Sequence, residues 1–449
     1  MITLAFAAPR LRELREALRH PALESAAILL CVPVQLARSK GWRLVVREMH
    51  IASDKAYVER TPNSVHLSAE FCLPIEKRAR LNGWSLVYVH THPQVSTADF
   101  SPVDDASEGS LAGYLRVRCP DVPHLSLLFS RDHGRARVLG EAQAVRVLEV
   151  GAHLQVAFDP REEVLLEDRF DRQVLAFGMQ GQARLAALKV GIVGLGGTGS
   201  LVAQQLAHLG VRNFILVDDD TIEASNLNRV AGALPNDVNL TKKVYVAERM
   251  IRGLRPDANL KTIDADVTVE GVARQVIEAD LVFNCTDTHA SRHVLNTAAY
   301  QFLTPVIDMG VSITVDAEMR ARLAGHVKML APGLACLWCA RHLDAGQVRS
   351  EMMTEEQRRA DPYFQGAANA PQPAVISLNG VVASLAVTML LSAVAGVPAE
   401  PRYLVYDGNR GRTNAIEDTP NPDCNFCGAN STAGGGDMYP LPARRHVAG

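Results

Sequence analysis

Lys189–Ser200 reads K-V-G-I-V-G-L-G-G-T-G-S and Phe214–Arg229 reads F-I-L-V-D-D-D-T-I-E-A-S-N-L-N-R, and these two runs decide the fold of the 449-residue chain. Val190–Val193 is a short apolar run, which predicts a buried strand. It leads into Gly194, Gly196 and Gly199 in G-x-G-x-x-G spacing, with Gly197 between them, and then into an apolar helix over 201–209. Glycines permit backbone angles closed to other residues, and the N-terminus of the helix offers unpaired N–H groups and partial positive charge to a phosphate. The second strand, Phe214–Val217, ends at Asp218, about 20 residues on, where a carboxylate can hold ribose hydroxyls. The pattern predicts a Rossmann-like, doubly wound α/β unit, and to this point it suits a dinucleotide as well as ATP.

The residues that follow separate the two. Asn226 and Arg229 lie in S-N-L-N-R, Lys243 stands beside Lys242 as its competitor for the same role, and D-L-V-F-N-C-T-D ends at Asp287. Cations and a second strand-end carboxylate suit an enzyme that cleaves ATP between its α and β phosphates, because negative charge builds on the departing pyrophosphate. Together with F-D-R-Q-V from Phe170, C-L-W-C from Cys336, S-L-N-G-V-V-A-S from Ser377 and C-N-F-C from Cys424, these motifs make the chain from about Phe170 to Cys427 resemble the ubiquitin-activating-enzyme-like (ThiF/MoeB-type) adenylyltransferases. The resemblance implies ATP on Gly194, Gly196, Gly197 and Gly199. It implies Asp218 at the ribose, Asp220 on the metal or phosphate side, and Asn226, Arg229 and Lys243 facing the phosphates, with Asp287 holding Mg²⁺. It also implies that Arg172 crosses a two-fold interface into the partner's site, so that the protein is a homodimer.

Cys336, Cys339, Cys424 and Cys427 form a C-x-x-C…C-x-x-C pattern, the signature of a tetrahedral Zn²⁺ site. Four thiolates leave no position for water, so this zinc is structural. Ala340–Gln372 is polar and is expected to be a mobile crossover loop. Family members that form a thioester carry their cysteine in or near such a loop, and this chain has none there. Cys285 is expected to be buried in its strand, so adenylation is expected without a thioester nucleophile of the chain's own, which leaves direct handover of the acyl-adenylate to a partner thiol open.

The N-terminal part carries a second constellation. Arg10–His20 has helical spacing, strands are expected at Ala26–Val32, Trp42–Val46 and Leu86–His90, and L-S-L-L-F-S and A-R-V-L read as closing strands. His90 and His92, two apart on an extended chain, point to one side and can share a metal, with Asp104 or Asp105 of F-S-P-V-D-D as third ligand and water as fourth. The combination E…H-T-H-P…S-x-x-D resembles the JAMM zinc metalloproteases. That resemblance implies catalytic Zn²⁺ on His90, His92 and Asp104, Glu24 as general base with Glu48 as the other candidate, and Ser101 beside the tetrahedral intermediate. Eight residues separate His92 from Ser101, one more than the family pattern carries, so the intervening loop must bulge.

Composition fits a two-domain cytoplasmic enzyme. A formal net charge of −3 supplies no basic field for nucleic acid. The N-terminus lacks a signal-peptide core, and cysteine usage suits a reducing compartment with one metal knot. Ala374–Gly396 holds no charged residue, yet Ser377, Asn379, Gly380, Ser384, Thr388 and Ser392 lower its hydropathy, so it reads as a core helix and not a membrane span. The predicted organisation is an α+β JAMM-type domain over 1–157, a doubly wound adenylyltransferase domain over 158–430 and a disordered tail over 431–449. The function read from this is zinc-dependent cleavage after the C-terminal glycine of a ubiquitin-like protein and ATP-dependent adenylation of the exposed terminus. A conjugating-enzyme-like partner is implied, in prokaryotic pathways of which some serve phage defence. Activation of a sulfur-carrier protein and a non-catalytic scaffold are the alternatives.

Overall fold

The computed structural model describes residues 1–37, 41–160, 167–316, 318–354, 357 and 373–445. The chain divides into two compact units, one of Met1–Arg161 with Gln301–Leu303 and Thr432–Pro440, the other of Glu162–Tyr300, Thr304–Ser431 and Leu441–Gly449.

The first unit is built on one eight-stranded sheet in the order β1-β3-β2-β6-β7-β8-β9-β10, formed by β1 Ile2–Ala7, β2 Ala26–Gln35, β3 Trp42–Ile51, β6 Ser85–His92, β7 Leu125–Ser130, β8 Gly134–Val138, β9 Ala144–Val150 and β10 Leu154–Phe158. A hairpin of β4 Tyr57–Arg60 and β5 Val65–Leu67 stands apart. Strand β1 also pairs with β9, so the sheet curls back on itself. Side chains of a strand alternate between faces, and β2 shows the result. Ala27, Leu29 and Cys31 enter one core with Leu14 of α1 (Arg10–Ala17), whereas Ile28, Leu30 and Val32 enter another with Ile75 and Ala79 of α2 (Ala69–Asn82) and Ala112 and Leu115 of α3 (Pro102–Arg118). Both faces are covered, which is why the strand reads as an unbroken apolar run. On β6, Val87 and Val89 face the first core and Leu86 the second, with Tyr88 packed against it. His90 and His92 continue the Leu86–Tyr88 row, on the side covered by α3.

The disordered tail expected over 431–449 is corrected here. Thr432–Pro440 belongs to the first unit, with a short 3₁₀ turn at Gly436–Met438. Gly434 and Gly436 have positive φ (68° and 47°), and a Cβ on Gly436 would sit 2.9 Å from Val32 Cγ1 and 3.0 Å from Val34 Cγ2. The glycines that read as disorder are what let the backbone lie flat on β2. Residues 446–449 lie outside the described residues.

The second unit carries a sheet in the order β13-β12-β11-β14-β15-β16-β17-β18. Its strands are β11 Lys189–Val193, β12 Asn213–Val217, β13 Asn259–Ile263, β14 Leu281–Asn284, β15 Val306–Val315, β16 Ala321–Leu330, β17 Tyr403–Asp407 and β18 Arg412–Ala415. The pairs from β13 to β15 are parallel and the rest antiparallel. Between β11 and β14 the strand order reverses, and the crevice past the carboxyl ends at such a point is where doubly wound sheets take ligands. The helices are α4 Asp171–Ala187, α5 Gly197–His208, α6 Lys243–Leu254, α7 Glu270–Val276, α8 His289–Gln301, α9 Ala345–Met352 and α10 Ile376–Ala395. Helix α10 is long and apolar enough to cross a membrane, yet 67% of its most apolar window is buried, packed on α4, α5, β15 and β16. Within the stretch expected as a loop, 340–372, residues Ala345–Met352 form α9, whose first turn is capped by Asp344 accepting from the Gln347 amide at 2.8 Å. Residues 355–356 and 358–372 lie outside the described residues.

Candidate active sites

In the first unit β6 ends on His90 and His92, and α3 begins beneath them. Ser101 caps α3: its Oγ accepts from the Asp104 amide at 3.2 Å, while Asp104 Oδ2 accepts from the Ser101 amide at 2.6 Å and from its hydroxyl at 2.8 Å, with Pro102 opening the helix. The box turns the Asp104 carboxylate towards the strand. Its Oδ1 lies 3.2 Å from His90 Nε2 and its Oδ2 3.5 Å from His92 Nε2. Glu24 arrives from the chain entering β2, where the Ser25 amide donates to Thr91 Oγ1 at 2.8 Å and Arg60 Nε to the Glu24 carbonyl at 2.8 Å. This sets Glu24 Oε1 3.6 Å from His92 Nε2.

The open alternatives occupy different places. Asp105 points away and pairs with Arg137 at 2.7 Å. Glu48 pairs with Arg78 at 2.6 Å and His50 at 3.2 Å. Glu24, His90, His92, Ser101 and Asp104 are brought together; Asp105 and Glu48 are not.

Electrostatics follow from burial. Glu24 is 3% exposed, and desolvation lifts its carboxyl to about 7 against the pull of the two histidines. Burial works upward on Asp104 too, but the two imidazoles that close on it, His90 and His92, hold it well below the usual carboxylate range. A hydrogen bond to Asp104 raises His92. His90 Nε2 is buried and makes no properly directed hydrogen bond despite its 3.2 Å approach to Asp104. A buried nitrogen without a partner, beside a second imidazole and a carboxylate within 4.8 Å of one another, fits a Zn²⁺ site with one position left to water.

In the second unit the glycine turn links β11 to α5 at the strand-order reversal. Gly194 has φ +86°, and a Cβ there would lie 2.8 Å from the carbonyl carbon and oxygen of Cys285. Alanine at Gly199 would collide with the Gly194 carbonyl, and at Gly197 with the Asn379 side chain, with Arg229 Cδ 3.3 Å away. Gly196 differs, since a Cβ there would meet nothing within 4 Å. Space over a bare backbone at the start of a 12-residue helix is what a phosphate needs, so the turn fits ATP.

The polar residues gather round this turn. Asp218 Oδ2 accepts from the Leu195 amide at 2.6 Å and Oδ1 from the Asp220 amide at 2.9 Å, so the carboxylate braces the turn while each oxygen keeps a lone pair for a ribose hydroxyl. Burial raises its pKa, opposed by Lys243. Lys243 Nζ is held 2.6 Å from Asp220, whereas Lys242 turns to the Asp219 carbonyl (2.7 Å) and Asp264 (3.3 Å). Asn226 caps its own turn, accepting from the Glu223 amide at 3.1 Å, and Arg229 donates to the Ser225 carbonyl at 2.5 Å. Asp287 is exposed just past β14. Arg172 is exposed near the start of α4, without an ion pair among the described residues.

Asn379 of α10 reaches the turn at Gly197, a placement its sequence signals only as the one amide in a charge-free helix. Cys336 and Cys424 sulfurs lie 3.6 Å apart and those of Cys339 and Cys427 3.5 Å. All four are free thiols, and these spacings approach the roughly 3.8 Å edge of a tetrahedron with ~2.3 Å Zn–S bonds. Trp338 stacks on Phe426 over this knot at 6.3 Å.

The sequence model of the ThiF family matches residues 170–426, which apart from Gln301–Leu303 belong to the second unit. The chain is 27% identical over 271 residues to the SAMP-activating enzyme E1 of Haloferax volcanii, covering 58% of this chain and 88% of that protein. It is 28% identical over 266 residues to the molybdopterin-synthase adenylyltransferase of Escherichia coli K12, covering 58% and 96%. A crystal structure of E. coli MccB with MccA-N7isoASN aligns at 20% identity and a TM-score of 0.48, over 59% of this chain and 76% of that one.

Proposed function

Because the chain belongs to the ThiF family, we propose that its second unit adenylates the C-terminal carboxylate of a small ubiquitin-like or sulfur-carrier protein, and that its first unit is a zinc-dependent peptidase acting at the same terminus. Relatives named for activating such proteins support the first half. The observation that carries the second is the meeting of Glu24, His90, His92, Ser101 and Asp104 around one orphaned imidazole nitrogen.

In the peptidase half, Zn²⁺ held by His90, His92 and Asp104 would polarise the scissile carbonyl and acidify its bound water. Glu24, whose carboxyl is lifted to about 7, takes the water proton as the C–O bond forms and gives it to the amine as the C–N bond breaks. The Ser101 hydroxyl, which gives its one proton to Asp104 Oδ2 in the cap, turns that proton to the oxygen that gains charge. The products are a free carboxylate and an amine.

In the adenylating half, a carboxylate oxygen attacks the α-phosphorus, the O–P bond forms and the bridge to the β-phosphate breaks. Asp287 would hold the Mg²⁺ that neutralises the triphosphate. Arg229 and Lys243 stabilise charge on the leaving pyrophosphate, Asn226 fixes the loop that carries Arg229, and Asp218 holds the ribose. Arg172 reaches the site of a second copy, a reading supported by its exposure and by Leu175 (88% exposed) and Met179 (68%) on the same helix. Cys285 is half-buried and burial pushes its thiol up, which makes it a poor acceptor of an acyl group. The acyl-adenylate therefore passes to a thiol on a partner such as a conjugating-enzyme-like protein.

Two assays test the proposal. ATP–pyrophosphate exchange should require a small glycine-tailed protein and vanish in Asp287→Asn, while cleavage of a tailed precursor should vanish only in Glu24→Gln. Loss of both activities from either change would contradict two separate sites, and absence of both from the wild type would leave a scaffold. A thiocarboxylate product would assign the protein to sulfur transfer.

A further inference from the structure

Asp308 of β15, His326 of β16 and His342 bring ligand-type atoms within 4.8 Å of one another, outside both sites above. The residue types suggest a metal, but the bonding says otherwise. Asp308 is fully buried and both its oxygens are committed: Oδ1 accepts from Asn284 Nδ2 at 2.8 Å and Oδ2 lies 2.9 Å from His326 Nε2. Arg292 Nε stands 3.7 Å from Oδ1, so its positive charge already occupies the space where a dication would be needed. His342 Nε2 is 2.8 Å from the Tyr403 hydroxyl.

What Asp308 holds is more telling. Asn284, the last residue of β14 and itself fully buried, receives on its Oδ1 the Thr286 hydroxyl at 2.8 Å and the Thr286 amide at 3.3 Å. Arg292, from α8, donates to the Thr286 carbonyl at 3.3 and 3.4 Å and to the Met309 carbonyl at 3.3 Å. Thr286 is thus gripped at its amide, hydroxyl and carbonyl by two side chains that both rest on Asp308. The next residue is Asp287, exposed and without a hydrogen bond or ion pair of its own among the described residues.

We propose that Asp308 is a positioning residue for adenylation: through Asn284 and Arg292 it fixes the turn that carries Asp287. The inference rests on the adenylation reading above. A carboxylate exposed at a strand end would sample many orientations, and holding a charged ligand to a narrow range takes supporting bonds one residue back, since a misplacement of about 1 Å costs about 10²-fold in rate. One buried anion with two arms supplies that support without touching the nucleotide.

The test needs only the full-length protein, ATP and Mg²⁺. ATP affinity is measured calorimetrically in EDTA and over a Mg²⁺ series for the wild type, Asp308→Asn, Asp287→Asn and the double variant, with thermal melts as the check on folding. Asp308→Asn keeps an acceptor for Asn284 but drops the charge that seats Arg292. It should raise the half-saturating Mg²⁺ at least fivefold while metal-free ATP affinity stays within twofold. The double variant should be no worse than Asp287→Asn alone, because Asp308 acts through Asp287. Arg292→Lys should shift the Mg²⁺ dependence in the same direction, which keeps the question open to measurement if Asp308→Asn folds poorly. Unchanged Mg²⁺ dependence in Asp308→Asn, or additive losses in the double variant, would overturn the inference alone. A wild type without Mg²⁺-dependent ATP binding would overturn the adenylation reading and the inference with it. A bound zinc lost in His326→Ala, with those of the cysteine and His90–His92 sites retained, would overturn it in favour of a metal site.

Discussion

Gly194 and Gly196 stand two residues apart in one turn, and alanine should fail at each for a different reason. At Gly194, φ of +86° costs a side chain about 1–2 kcal/mol, and the new Cβ would press within 2.8 Å of the Cys285 carbonyl, backbone just past the end of β14 that cannot swing aside. Overpacking of that kind costs about 1–3 kcal/mol more, so Gly194→Ala should lose about 2–5 kcal/mol, a large share of the roughly 5–15 kcal/mol that holds a domain together. At Gly196, φ is −71° and a Cβ meets nothing; only a ψ of −148°, just past the extended region, opposes a side chain, so the loss of stability should stay below about 1 kcal/mol. The methyl group would instead stand where the phosphates approach the backbone. Losing one or two hydrogen bonds to a charged group costs about 1.5–3 kcal/mol each, or roughly 10- to 10⁴-fold in affinity. Thermal melts without nucleotide and calorimetric ATP titrations separate the two effects. If Gly196→Ala melts as early as Gly194→Ala, the geometry of the turn is wrong; if it melts normally and binds ATP as the wild type does, the open side of Gly196 is not a phosphate cradle.

Other predictions concern the metals, the pH response and the oligomer. Purified protein should hold two zinc ions per chain by elemental analysis, one lost in His92→Ala and the other in Cys336→Ser, and only the second loss should lower the melting temperature of the second unit. In zinc-free protein, burial raises the Glu24 pKa above its unfolded value, so the stability tied to its proton is complete below about pH 4.5 and is lost as pH rises through about 7. Glu24→Gln should therefore match the wild type in melts at pH 4 and exceed it at pH 8, by about 1–3 kcal/mol; equal melts at pH 8 would show that Glu24 is not desolvated. Arg172→Ala and Asp287→Asn chains, each defective alone, should recover exchange activity on mixing if Arg172 serves the site of a second copy, and mixing should do nothing if it serves its own.

The parts legible in the sequence were those whose chemistry is local. The glycine turn needs three glycines and a strand within twelve residues, and the capping of α3 by Ser101 and Asp104 is a four-residue pattern that aims a ligand. Spacing alone left Asp104 and Asp105 open, because both carboxylates open the same helix, and only the family resemblance favoured Asp104. The structure separates them by the side each faces, Asp104 towards the β6 histidines and Asp105 towards Arg137 on β8. The same holds for Glu24, which enters from the chain before β2 and meets His92, and for Glu48, which on β3 pairs with Arg78 and His50. Composition misled in one place, at Thr432–Pro440, where glycines that suggest a disordered tail are required for close approach to Val32 and Val34.

Asn379 and Asp308 show the deeper reason for what stayed hidden. Each lies far along the chain from the motif it serves: Asn379 is 182 residues from Gly197, and Asp308 is 21 from Asp287 on a different strand. Neither has a spacing rule to announce it, since its partner is chosen by packing, with α10 lying over α5 in one case and β14 pairing with β15 in the other. The register of that pair sets Asn284 opposite Asp308, so one hydrogen bond between neighbouring strands ties Asp308 to the turn that carries Asp287. A buried carboxylate on an apolar strand is costly unless it is paired and hydrogen-bonded, as Asp308 is by Asn284, His326 and Arg292. V-I-D-M-G thus carried a signal in its single aspartate, but only the sheet order says what that aspartate supports.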